Sequence, residues 1–171
     1  DIRPCYYKTA VVVNNRVYVG NVKFDGALYP DRMMKTQRGE YDTFTKQGFI
    51  DVDVDDGDDI VHLEVFADRI LQFKRNVVHI AKEYEYLESS TKYAGINNPS
   101  QVVLTDKGIY WANRAGLWYY NGQNIINLLQ NRTDIVANQS LKATDGVMED
   151  STSRWGSMFE DTKDQGPVLS Y

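Results

Sequence analysis

Cysteine and histidine are scarce in this chain: Cys5, His62 and His79 are the whole supply. One thiol cannot close an internal disulfide, and one thiol with two imidazoles cannot build a cysteine/histidine zinc cage. Long apolar runs are missing as well. The longest clean stretch, residues 10–13, is far short of the roughly 18–20 residues that cross a bilayer, so no membrane span is expected. There is no basic excess either. The 19 Lys and Arg residues stand against 24 Asp and Glu, giving a net charge of -5 without a basic stripe, which disfavours stable DNA or RNA binding. No leader pattern precedes Asp1, and the closing "GPVLSY" reads as a strand just beginning, so a segment of a longer polypeptide is expected.

What is present suffices for one core: 42% of the 171 residues are hydrophobic. Acid is concentrated in "FIDVDVDDGDD", residues 49–59. As a calcium loop counted from Asp51 it fails, because Asp56 stands where the sharp turn needs glycine and His62 where the closing glutamate belongs. Ile50, Val52 and Val54 alternate with Asp51, Asp53 and Asp55, the period of a strand with one buried face. Residues 55–59 then supply turn chemistry. A solvated strand and turn is the preferred reading over a cation site at 51–59.

Strand signals dominate the rest. In "QVVLTDKGIYWANRAGLWYYNGQNIINL", residues 101–128, four short apolar runs are separated by three turns, which predicts a four-stranded meander. Its Asn121 and Gly122 predict a type I′ hairpin turn, since both residues tolerate positive φ. Similar phrasing occurs in "VVVNNRVYVGNVKF" and "FADRILQFKRNVVHI". Taking the turn pairs Asn15 with Arg16, Asp68 with Arg69, and Asp106 with Lys107 as equivalent, the separations are 53 and 38 residues. One propeller blade takes about 40–50 residues. The expected fold is therefore all-β: a β-propeller fragment of about three to four blades of four antiparallel strands, with a β-sandwich as the alternative. Residues 1–171 read as part of one propeller domain, with 25–48 and 129–153 as inserted loops. A short helix capped by Thr133 or Asp134 and reaching about Ala143 is expected within the second of these.

Candidate sites are thin. His62 and His79 sit in apolar strand contexts without a nucleophile motif and read as packed histidines. Glu64, Asp68, Asp106 and Asp145 are the acids that a glycosidase would have to pair, and turn residues are their ordinary reading. Trp111, Trp118, Tyr119 and Tyr120 would serve either as a sugar platform or, more simply, as filler between sheets. "QFKRN", residues 72–76, is a compact basic spot that reads as a strand end and turn. Asn131 and Asn138 match the glycosylation pattern and carry no weight alone.

"GDDIVHLEVFADRILQFKRNVVHI" followed by "GIYWANRAGLWYYNGQNIINL" resembles the β-propeller region of bacteriophage tail proteins. It is most similar to the tail nozzle or hub proteins of short-tailed phages, the group that includes packaged-DNA stabilisation proteins. The resemblance spans about residues 11–128. It implies a virion structural protein, not an enzyme, with no catalytic, cofactor-binding or metal residues to carry over. Implied partners are other copies in a ring, neighbouring tail or portal-adaptor proteins, and DNA in transit without specific binding. The rival expectations are a propeller glycoside hydrolase and a propeller binding module. The first lacks the serine–aspartate–glycine–threonine–tryptophan pattern of sialidases, and the second lacks the paired glycines and Trp-Asp dipeptide of kelch and WD repeats.

Overall fold

The computed structural model describes residues 3–54, 56–130 and 169–170. Among them the chain is all-β, with only single 3-10 turns at Lys46–Gly48 and Pro99–Gln101 besides the strands. No helix among the described residues is long and apolar enough to cross a membrane. The chain divides into two compact units, Asp1–Pro99 and Ser100–Tyr171.

The first unit holds two antiparallel meanders. One runs β1 (Cys5–Val13), β2 (Arg16–Phe24), β3 (Ala27–Lys35) and β4 (Phe49–Ile50); the other runs β5 (Ile60–Phe66), β6 (Arg69–Lys74), β7 (Val77–Lys82) and β8 (Tyr86–Lys92). Turn chemistry explains the registers. Asn14 and Asn15, with φ of 52° and 53°, join Val13 to Arg16 in a two-residue hairpin, and Asp25 with Gly26 joins Phe24 to Ala27 the same way. Positive φ at both central residues matches the twist of the flanking strands, and Asn, Asp and Gly adopt it at least cost. The β5–β6 turn uses Ala67 and Asp68 at φ of 51° and 58°, so a residue without a hydrogen-bonding side chain is held in the left-handed region.

A bulge sets the core. The pairing of β2 with β3 shifts register between Gly20 and Val22, and Asn21 takes φ 55°. The extra residue reverses the alternation of side chains. Val22 and Phe24 thereby join Val17 and Val19 on one face, with Met34 and Phe44. On the other face Tyr18, Met33, Ile50 and Val52 pack against Ile60, Leu63, Ile70 and Ala81 of the second meander. β2, at the centre of this arrangement, is thus buried on both faces.

The contact between the two sheets is polar as well as apolar. β5 pairs with β6 on one side only, which leaves backbone groups along its outer edge. The Leu63 amide donates to Thr9 Oγ1 at 2.9 Å, and Asn21 Nδ2 donates to the Ile60 carbonyl at 3.0 Å. Gly20 permits this approach: a Cβ there would stand 3.0 Å from Ile60 Cγ2.

The second unit holds the predicted meander, β9 (Val102–Thr105), β10 (Gly108–Asn113), β11 (Gly116–Tyr120) and β12 (Ile125–Asn127), in sequential order. Asn113 Oδ1 organises its second hairpin, accepting from the Ala115 and Gly116 amides and from Trp118 Nε1. Trp111 and Trp118 are opposite each other on β10 and β11 and buried, with ring planes 11° apart.

Three expectations change. Asn121 and Gly122 do not make a two-residue turn: four residues separate Tyr120 from its partner Ile125, because Asn121 Oδ1 accepts from the Gln123 and Asn124 amides and closes an Asx turn instead. The strand expected along residues 50–55 ends at Ile50, and Asp51, Asp56 and Asp58 beyond it bond side chains and turns rather than a ladder. Within 25–48, Ala27–Lys35 is a full strand of sheet 1, so the irregular stretch is confined to the residues after it. The helix expected near Ala143, most of the 129–153 loop and most of the closing strand signals lie outside the described residues.

Two substitutions test these backbone constraints. Ala67→Gly relieves the left-handed strain and is expected to raise stability by about 0.5–1 kcal/mol in urea unfolding. Gly95→Ala places a Cβ 2.3 Å from the Arg75 carbonyl and is expected to lower it by about 2–3 kcal/mol.

Candidate functional site

Three features that stand apart in the sequence meet in space: the acidic run, the basic spot at 72–76, and His79. Lys74 ends β6, and its side chain is fully buried. A buried ammonium is stable only when paired and hydrogen-bonded. Its Nζ donates to the Asp53 carbonyl and to Asp56 Oδ2, both at 2.7 Å. Because Lys74 takes the Asp53 carbonyl, the loop is drawn onto β6 and cannot extend β4.

Asp51 and Asp58 also have defined work. Asp51 grips Arg32 through two bonds of 2.7 and 2.8 Å, and that guanidinium lies over the rings of Tyr29 and Phe49. Asp58 accepts from the Arg75 and Asn76 amides and so caps the β6–β7 turn, while Asp56 Oδ1 accepts from the Asp58 amide. Asp53 differs. Its carboxylate is exposed and faces His79 Nε2 at 3.6 Å.

His79 lies on β7, in a row of directly opposed residues, Leu63, Gln72, His79 and Ser90, that crosses the second sheet on its inner face. Its side chain is only 2% exposed. Nδ1 stands 2.7 Å from Ser90 Oγ, and Nε2 stands 3.6 and 3.7 Å from Asp53 and Asp56 carboxylate oxygens. Those separations exceed a hydrogen bond, so Nε2 has no hydrogen-bond partner among the described residues; neither does the side-chain amide of neighbouring Gln72. The facing atoms of Asp53, Asp56 and His79 all lie within 4.8 Å of one another, close enough for these three to share a cation.

The charges act on one another. Burial, with the Lys74 ammonium adding to it, holds the His79 imidazole below its ordinary pKa of 6.5, and the opposing pull of Asp53 and Asp56 does not restore it. Burial pushes Asp56 up, but the hydrogen bonds from Lys74 and the Asp58 amide together with the Lys74 charge outweigh it and leave the carboxyl below its ordinary value.

Of the acids considered for glycoside cleavage, the two in the first unit have other partners. Glu64 faces His62 at 3.3 Å, Asp68 accepts the Tyr84 hydroxyl, Asp106 belongs to a turn of the second unit, and Asp145 lies outside the described residues. Of the aromatic group, Trp111, Trp118 and Tyr120 are buried, and Tyr119 stacks on Tyr110 with centroids 4.4 Å apart. An open cleft of about 580 Å³ lined by Tyr29, Arg32 and Asp58 has its guanidinium committed to Asp51 and its Asp58 carboxylate to turn amides. Sequence reasoning missed Lys74 as the centre of the acidic loop. The only signal was its place in the alternation of β6, two positions beyond Gln72 on the same face.

Compared with protein-family models and with curated proteins, the chain matches none.

The depressed His79 pKa has a definite sign. Between the folded value and 6.5 the unfolded chain binds the proton that native His79 refuses, so stability falls as pH drops through that window. Urea midpoints measured from pH 7.5 to 5 in chelator-containing buffer are expected to decline, and His79→Gln is expected to flatten that decline.

Proposed function

We propose that the chain is a structural block, part of a β-propeller in the tail nozzle or hub of a short-tailed bacteriophage, acting through rigidity rather than chemistry. The observation that carries this reading is the repetition of a complete unit. Three antiparallel meanders of four strands follow one another in sequence, and each opens with a two-residue hairpin, at Asn14 and Asn15, at Ala67 and Asp68, and at Asp106 and Lys107. A blade is such a unit. A β-sandwich would pass strands from one sheet to the other, whereas here each sheet is finished before the next begins.

The side chains support a scaffold as well. Trp111 and Trp118, the residues a sugar-cleaving propeller would use for stacking, are buried against each other. In a tail, copies of the protein would associate in a ring with neighbouring tail or portal-adaptor proteins, and a wall of net negative charge would let DNA pass without holding its phosphates. Electron microscopy and native mass measurement of the intact protein test this. Closed rings, alone or within a particle, are the expected result; monomers that cleave a glycan would overturn it.

A further inference from the structure

We propose that Asp53, Asp56 and His79 form a binding site for a divalent transition-metal ion of the zinc class. The inference is independent of any role in a phage tail.

Distance is the first argument. Ligand atoms held about 2.0–2.2 Å from zinc in a tetrahedral site stand about 3.3–3.6 Å from one another. His79 Nε2 lies 3.6 Å from an Asp53 oxygen and 3.7 Å from an Asp56 oxygen. Those two spacings are too long for hydrogen bonds and close to what a shared ion needs, and all three ligand atoms lie within 4.8 Å of one another, so the exposed Asp53 would close in on the ion.

Burial is the second. A side chain 2% exposed with a ring nitrogen that has no hydrogen-bond partner carries a desolvation cost that the pull of Asp53 and Asp56 offsets only in part, and the nitrogen faces both carboxylates. An ion there would satisfy it.

Tautomer is the third. Ser90 Oγ, 2.7 Å from Nδ1, can accept its proton, which leaves the Nε2 lone pair facing Asp53 and Asp56. Metal-bound histidines are commonly oriented by such a second hydrogen bond. Lys74 plays the corresponding part for Asp56: it donates at 2.7 Å to Oδ2, the same oxygen that stands 3.7 Å from His79 Nε2, while Oδ1 accepts from the Asp58 amide, so the carboxylate is fixed and each oxygen keeps one lone pair.

The donor set also selects the ion. One imidazole and two carboxylates suit zinc or its neighbours, whereas calcium asks for six to eight oxygens. The Lys74 charge sits beside the site, so affinity is expected to be below that of a site with the same ligands and no ammonium.

The test is a titration of the whole chain with Zn²⁺ against a chromophoric chelator, repeated with Co²⁺ to read its visible ligand-field absorption. One equivalent is expected to bind, and to raise the melting temperature with metal concentration. Asp53→Asn, at an exposed carboxylate, is expected to keep the wild-type circular dichroism spectrum and to weaken binding at least tenfold. His62→Gln and Cys5→Ser are expected to leave it unchanged. Absence of one-equivalent binding, wild-type affinity in Asp53→Asn, loss of binding in His62→Gln or Cys5→Ser instead, or saturation by Ca²⁺ below the zinc concentration would each overturn the assignment.

Discussion

The edge of a strand cannot be buried with its amides and carbonyls unmet. β5 is such an edge, because it opens the second sheet and pairs only with β6, yet its inner residues Ile60 and Leu63 are packed against sheet 1. Thr9 and Asn21 resolve the conflict by supplying side-chain partners to the Leu63 amide and the Ile60 carbonyl. Both are themselves buried, so the bonds fix register as well as satisfying polarity. Much of the first unit follows from that junction. Asn21 reaches Ile60 because it occupies a bulge, the bulge reverses side-chain parity along β2, and the reversed parity places Val22 and Phe24 in the second cluster.

A second constraint acts at the far end of the same face. Moving along β6 and β7 the paired residues change from Ile70 with Ala81 to Gln72 with His79, and then to Lys74. The inner face thus turns from hydrocarbon to titratable groups within a few residues. A positive charge buried at its end must draw in negative partners, and the loop carrying Asp53, Asp56 and Asp58 wraps it, with Asp58 also capping the turn beyond Lys74. Its geometry leaves Asp53 and His79 facing each other without a bond between them. The rigid loop and the facing pair of Asp53 and His79 therefore arise from one arrangement: the ammonium holds the loop in place, and the loop presents the Asp53 carboxylate.

Some of this was legible from residue order. The four strands of 101–128 could be read because each is bounded by polar turn residues and alternates cleanly. The hairpins at Asn15, Asp68 and Asp106 were visible for the same reason, and each proves to be the first turn of its sheet. The acidic run misled, because alternation of Val with Asp has the period of a strand whether or not the aspartates are free to leave it. Lys74, on β6, and Arg32, on β3, compete for those carboxylates and win. Likewise Asn121 beside Gly122 satisfies the rule for a tight turn, but the Asn121 side chain bonds the amides two and three residues on and widens the loop.

Local rules by themselves determined the all-β character of the described residues, the bounds of the strands in 101–128 and the first turn of each sheet, since turn propensity and two-residue periodicity act between neighbours in sequence. Only tertiary structure decided what Thr9, Asn21, Lys74 and His79 do. Each is a polar residue whose burial requires a partner from a distant stretch of chain, and the identity of that partner depends on which faces meet. An aspartate at 53 or 56 looks like any solvated turn residue until β6 and β7 place an ammonium and an imidazole against it.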